Sequence, residues 1–300
     1  VLEAADVPGG AAVTREFAPG FRVPAVTHLA NLLDPEVLRD LALERHGLAF
    51  AHAALKTVAL NESGPALVLD GSEVVAGELS GADRAALKEF SRRMQRFAAV
   101  LGRQHGRAPP RLLWNGWRDA PPAAKLAFDV RRLGRRDLRE FLRIAAINIH
   151  DVLEESFRSP LLKGTLALDA VLGMHAGPRS GNTVLSYLHR ASGAVAGRAG
   201  AFALPRGGMG ALTGALAQAA RASGAEIRMG APVAAITVDA GRIAGVRLES
   251  GEEIPAGLVV SNADPRTTLL GLLGARHLEA GFARRVQNIR MSGTAAKLHL

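Results

Sequence analysis

The chain has 300 residues, 48% hydrophobic and 22% charged, with a formal net charge of +9 and no cysteine. This describes a folded chain with a sizeable core, and it excludes disorder, disulfides, thiolate metal sites and cysteine nucleophiles. Nearly all of the 37 cations are arginine, dispersed along the chain in the manner of a GC-rich genome, so no nucleic-acid partner is expected.

The first ten residues, VLEAADVPGG, read as the end of a buried strand, an acid (Glu3) and a glycine pair (Gly9, Gly10). A helix is expected near 35–46, with Asp34 as N-cap, Pro35 at the first position and Gly47 beyond its end. ALVLDGSEVVAG places Asp70-Gly71 between two β-prone runs, a hairpin signal. Ser80 then starts a helix, with Asp83 completing a capping-box-like pattern. In that helix Leu87, Phe90, Met94, Phe97 and Leu101 recur at helical spacing, as a stripe packed on a core. Residues 107–122 are rich in proline, hold both tryptophans (Trp114, Trp117) and read as irregular. Helices are expected near 135–149, 151–157 and 161–172, followed by the glycine-rich loop GMHAGPRSGN.

GGMGALTGALAQAARASGAEIRMG reads as a glycine loop, a helix over 209–223, a stop at Gly224 and a strand over 225–229. Four β runs follow, parted by turns at Ala240-Gly241, Ser250-Gly251 and Pro255-Ala256, in the manner of a meander. The last run, 258–260, stops at the corner Ser261-Asn262-Ala263-Asp264-Pro265. TAAKLHL at the end alternates as a strand does. Both ends of the chain fall inside expected strands, so the chain reads as a piece of a longer fold.

An acid at a strand end before a glycine loop has a physical use. In doubly wound nucleotide folds it accepts hydrogen bonds from ribose hydroxyls, about 20 residues after a G-x-G-x-x-G turn. Glu3 stands where that acid would be, and the turn itself would lie before Val1. Gly9 and Gly10 would let backbone approach a cofactor. The start of GGMGAL exposes amides that could hold an anion, or it is a plain helix N-terminus. No histidine pair has H-x-H or H-E-x-x-H spacing, so no metal site is expected. No G-x-S-x-G elbow occurs, and no catalytic constellation is legible. His175 and Arg179, in the glycine-rich loop, could face a substrate across a cleft. No run of roughly 18 apolar residues spans a membrane; peripheral membrane contact stays open, and a cytoplasmic setting is expected.

Taken together, VLEAADVPGGAAVT, LLKGTLALDAVLG, AGPRSGNT, LPRGGMGALTGALAQAARASGAEI and VVSNADP resemble the phytoene-desaturase and amine-oxidase superfamily of FAD-dependent oxidoreductases. Within it the chain is similar to the group of pyridine nucleotide-disulphide oxidoreductase domain-containing protein 2. The resemblance implies an α/β fold: an FAD/NAD(P)-binding Rossmann-like domain of the glutathione-reductase type, with a β-meander and an inserted α+β substrate domain. It divides the chain into FAD-binding parts at 1–55 and 206–262 and substrate-domain parts at 56–205 and 263–300.

It implies FAD as cofactor, Glu3 on the adenosine ribose, Gly9 and Gly10 beside the pyrophosphate, and the Val233 backbone on adenine. Thr27 and His28 would lie along the flavin ring, and Asn262 in a corner running back towards the cofactor. The family's doublet is often flanked by arginine, whereas Pro8 and Ala11 flank it here. The implied activity is hydride transfer from a substrate C–H to flavin, with a small-molecule substrate. A non-catalytic regulatory or partner-binding member of the same fold is the alternative.

Overall fold

A computed structural model describes residues 1–105, 116–291, 293 and 296–299, with side chains left out for 116–119. Trp114 lies outside these residues, as does the Trp117 side chain.

A 3-10 turn at Gly10–Ala12 leads into an antiparallel hairpin, β1 (Thr14–Ala18) and β2 (Phe21–Pro24). Helix α1 (Pro35–Asp40) starts where expected: Asp34 accepts the Glu36 N–H at 2.8 Å. It ends six residues earlier than the spacing predicts. Ala42 takes a left-handed φ of 46°, and the chain turns so that Leu43 and Leu48 enter a core. Tertiary burial overrides the helical propensity of ALER.

Strand β3 (Phe50–His52) is followed by a three-stranded antiparallel sheet of β4 (Thr57–Ala59), β5 (Leu67–Asp70) and β6 (Glu73–Ala76). Asp70 pairs with Glu73, so the hairpin loop is Gly71-Ser72, one residue later than expected. Helix α2 (Gly81–Gly102) buries Leu87, Phe90, Met94 and Phe97, as its spacing predicts. Helix α3 (Gly116–Arg131) runs through Pro121 and Pro122, a stretch the sequence reads as irregular up to 122. Asp129 ties α3 to the end of α2, pairing with Arg103 at 3.0 Å.

Helices α4 (Gly134–Ile144), α5 (Ile149–Ser156) and α6 (Pro160–Val171) follow. Helix α7 (Thr183–Ala191) then packs on α2 and α6. These helices and the β4–β6 sheet enclose one core, in which Phe90 meets Phe157 edge-on at 5.3 Å.

Asp83 is the polar anchor of this body. Its amide caps on Ser80, but its carboxylate does not complete a capping box. The two oxygens accept the N–H groups of Arg158 at 2.9 Å and Ser159 at 3.1 Å, where the chain enters α6. Ser159 in turn accepts the Leu162 N–H. A carboxylate that is 4% exposed thereby fixes the angle between α2 and α6.

After α7 come a short hairpin, β7 (Ala194–Val195) with β8 (Arg198–Ala199), then β9 (Leu204–Pro205) paired with β3. Helix α8 (Met209–Ala222) and the meander β10 (Val233–Asp239), β11 (Arg242–Leu248), β12 (Glu253–Pro255) follow. A second core joins Leu43 and Leu48 to Val195, Ala203, Met209 and Leu212. The chain closes with a π-helical turn, Thr267–Leu272, a 3-10 turn, Ala275–His277, and helix α9 (Ala280–Gln287).

The described residues hold small antiparallel sheets and no extended parallel sheet. Parallel pairing survives as one bridge, Leu2 to Arg228, at the place of the expected 1–3 and 225–229 strands. The expected strand at 258–260 is irregular and exposed, with Leu258 at 79% and Val260 at 88%, and 296–299 forms no strand. A parallel strand needs neighbours on both sides, and these segments have none among the described residues.

Asp83→Ala leaves two N–H groups at the α6 entry without their acceptor, a loss of roughly 2–4 kcal/mol. Asp83→Asn keeps one acceptor oxygen and should lose less. Urea denaturation of both variants checks this; equal stability of wild type and Asp83→Ala would show that water replaces the carboxylate at no cost.

Candidate functional site

Two loci emerge. The first gathers residues nearly the whole chain apart. The Leu2–Arg228 bridge is locked by four backbone bonds: Glu3 N–H to Arg228 O, Arg228 N–H to Val1 O, Gly230 N–H to Ala5 O and Ala231 N–H to Glu3 O. Glu3 therefore sits two residues from the start of β10 at Val233, which pairs with Leu248. Its carboxylate accepts the Ala5 N–H at 2.9 Å, which turns the chain just past the bridge.

The glycine pair follows. Gly9 has a φ of 129°, and a Cβ on it would meet Thr213 Oγ1 of α8 at 2.7 Å. Its smallness is thus demanded by helix packing. Gly10, at φ 52°, has no atom within 4 Å of its missing Cβ, so its open face is free for close approach. Thr27 donates its N–H to Ala11 O at 2.9 Å, which holds Thr27 and the exposed His28 against this loop.

The start of α8 is already taken. Thr14 Oγ1 accepts the Gly210 N–H at 3.0 Å and donates to Gly207 O. The glycines of GGMG make room for Thr14, whose Oγ1 lies 2.7 Å from a Cβ placed on Gly208. The anion-holding reading of this helix start is therefore displaced by a side-chain cap from β1.

Sequence reasoning missed Lys297, whose ammonium donates to Pro24 O at 2.9 Å and Val26 O at 3.2 Å, beside Thr27. An alternating strand pattern held no signal for that contact. Asn262 is exposed in the corner before the π-helical turn. There Asp264 accepts the Arg266 and Thr267 N–H groups, and the Thr267 hydrogen bonds hold its carboxyl below the usual range.

His175 and Arg179 are exposed and join neither locus. Their loop lies against the start of α5 rather than over a cleft. Pro178 O accepts the His150 N–H, and fully buried Thr183 accepts the Ile149 N–H at 2.9 Å.

The second locus is a cavity of about 150 Å³ between α2, α6 and α7 on one side and residues 198–202 on the other. Asp169 of α6 and Arg190 of α7 pair at 3.2 Å on its wall. Arg190 also donates to Gly200 O at 2.6 Å and stacks 4.0 Å from the Phe202 ring centre. Burial raises the Asp169 carboxyl above its usual range, against the lowering pull of Arg190. Tyr187, one turn before Arg190, has its hydroxyl raised by burial and by Asp169. At the rim Arg198 faces Asp70 at 3.6 Å. Sequence reading placed no element over 183–206, although Val184, Tyr187 and Leu188 carry helical spacing.

Among known proteins, the model of the flavin containing amine oxidoreductase family matches residues 1–300. The chain belongs to that family. It is 31% identical over 324 residues to the rat pyridine nucleotide-disulfide oxidoreductase domain-containing protein 2, covering 100% of this chain and 55% of that protein. A zeta-carotene-forming phytoene desaturase of Myxococcus xanthus is 38% identical over 96 residues, 32% of this chain and 18% of that one. An oxidoreductase from Methanosarcina mazei shares the fold with a TM-score of 0.55 at 16% identity, over 96% of this chain and 59% of that one. The chain thus spans about half the length of the curated relatives it matches. FAD is the cofactor of this family's fold, and the Glu3 acid and the open face of Gly10 fit it.

Gly9→Ala should lose roughly 2–4 kcal/mol, from left-handed strain plus overpacking against Thr213. Gly10→Ala should lose only about 1 kcal/mol, from strain alone. Equal shifts of the denaturation midpoint would refute the distinction.

Arg190→Met strands the Asp169 carboxylate, at a cost of roughly 2–3 kcal/mol for a pair still partly open to water. Asp169 is raised in the fold, so its protonation favours the folded chain, and losing Arg190 raises it further. The stability deficit should therefore be largest at neutral pH and shrink as pH falls through the variant's raised carboxyl value. Denaturation at neutral and mildly acidic pH checks the sign; a deficit that grows in acid contradicts it.

Proposed function

We propose that this chain forms the adenosine-side seat and the helical substrate body of an FAD-dependent oxidoreductase. The observation that carries this reading is that backbone hydrogen bonds hold Glu3 against residues 228–231, just before β10, while Thr27 is bonded to Ala11 in the loop of Gly10. Bound FAD supplies the redox chemistry, taking hydride from a substrate C–H.

In this reading Glu3 accepts the ribose hydroxyls, and Gly10 gives the pyrophosphate a face without a Cβ. The Val233 backbone borders adenine, while Thr27 and His28 border the flavin ring. Asn262 closes the far corner. The desaturases among the relatives support the reaction type, removal of hydride from a C–H bond, without carrying their substrate to this chain. The helical body on α2, α6 and α7 brings the substrate side.

A charge-assisted hydrogen bond contributes roughly 1.5–3 kcal/mol. Glu3→Gln keeps the shape and loses the charge, so FAD affinity should fall about tenfold or more. Fluorescence titration of the full-length apo-protein with FAD measures this, and turnover at saturating FAD should persist, because the flavin ring lies at the cofactor's other end. Indistinguishable dissociation constants would make Glu3 a plain turn residue and remove the main support for the reading.

A further inference from the structure

The cavity on α6 and α7 has a chemistry of its own. Two guanidinium groups, Arg190 and Arg198, border it together with two carboxylates, Asp169 and Asp70. Arg190 is held rigidly: stacked on Phe202, anchored to Gly200 O and paired with Asp169. Its buried Nε, 3.2 Å from the Asp169 carboxylate, makes no hydrogen bond among the described residues. Arg198 is loosely held, 59% exposed and 3.6 Å from Asp70, so that pair is screened and weak. Gln95 also borders the cavity, as does the Tyr187 ring.

We propose that this cavity binds a small carboxylate bearing a hydroxyl or ammonium group, with Arg198 and Arg190 taking the carboxylate and Asp169 taking the donor. Three observations decide the class. The first is size: about 150 Å³ is well below the roughly 300–1,000 Å³ of pockets for drug-sized ligands, so a long polyene does not fit. The second is charge balance. A ligand with only a negative end would meet two aspartates, and one with only a positive end would meet two arginines. A carboxylate next to a donor matches both signs.

The third is preorganisation. A guanidinium fixed by stacking offers its remaining N–H groups to a carboxylate with little ordering cost, whereas Arg198 needs only to exchange a long contact for a bidentate one. Among the described residues Asp169 has Arg190 as its one charged partner within ion-pair distance, which leaves its second oxygen for the ligand's donor. This inference rests on the flavoprotein reading only in taking the ligand as that protein's substrate class; the binding itself needs no flavin.

The test is isothermal titration of the full-length protein with L-lactate and L-alanine. Lactamide, which lacks the charge, and propionate, which lacks the donor, serve as controls. At least one of the two acids should bind, with both controls about tenfold weaker or more, a difference of roughly 1.4 kcal/mol. Arg198→Met should weaken the acid about tenfold and leave the denaturation midpoint in place, since its pair with Asp70 is exposed.

Equal affinity for lactate and lactamide, equal displacement by inorganic phosphate, binding unmoved by Arg198→Met, or no binding of either acid would each overturn the proposal. FAD titration of the same samples separates the two readings. Lost acid binding with intact FAD binding overturns this inference alone. Intact acid binding without FAD binding overturns the flavoprotein reading and leaves the ligand site standing.

Discussion

Arg190 is the residue on which the arrangement of the two cores turns. From α7 it grips Asp169 of the neighbouring helix, the carbonyl of Gly200 and the face of Phe202. The three following carbonyls are taken from other directions: Ala201 O by the Asn31 amide at 2.9 Å, Phe202 O by Leu55 N–H and Ala203 O by Ala30 N–H. Four consecutive carbonyls thus bind four separate groups, one from the helical body and three from the first 55 residues. This strap is what joins the two cores, and the cavity exists because the strap crosses above α6 and α7. A buried guanidinium without its carboxylate would be an uncompensated charge, so the joint has little tolerance for change at either residue.

Local elements were legible wherever local chemistry decides them. Asp34 and Ser80 are helix caps, and the α2 stripe, α8 and the meander follow from capping and periodicity. Where tertiary packing decides, the sequence misled. Helix α1 stops short because Leu43 and Leu48 are drawn into a core through a left-handed Ala42. Asp83 looks like a capping-box acid, but its carboxylate serves a helix entry 75 residues away. Two-residue strands such as β7, β8 and β9 are too short to carry a pattern.

Glu3 and Gly10 were marked by local signatures, an acid after a strand and a bare glycine, whereas Thr27 and Val233 were marked only by the family resemblance. Gly9 was read as a residue that tolerates no side chain, and the neighbour the structure shows against it is Thr213. The cavity was not readable at all. Asp169, Tyr187, Arg190 and Arg198 come from separate turns of chain, and a guanidinium's partners are chosen by folding rather than by spacing. The family resemblance extends over the whole chain, yet it did not point to this cluster.

The patch at Glu3 has a consequence for the order in which the molecule forms. Thr14 reaches Gly210 across a sequence separation of 196 residues, whereas the helical body closes over shorter separations, such as the 75 residues from Asp83 to Arg158. Closing so large a loop from an open chain costs roughly 5 kcal/mol in entropy beyond a constant term. The cost falls once the intervening helices and the strap have collapsed and brought the ends together. Helices thus form early, and the pairing of residues 1–14 with 207–231 comes late. A ligand that engages both halves of that pairing stabilises the folded form over its precursors by mass action. The pairing of the chain start with residues 207–231 is then a clasp, the last part of the chain to set.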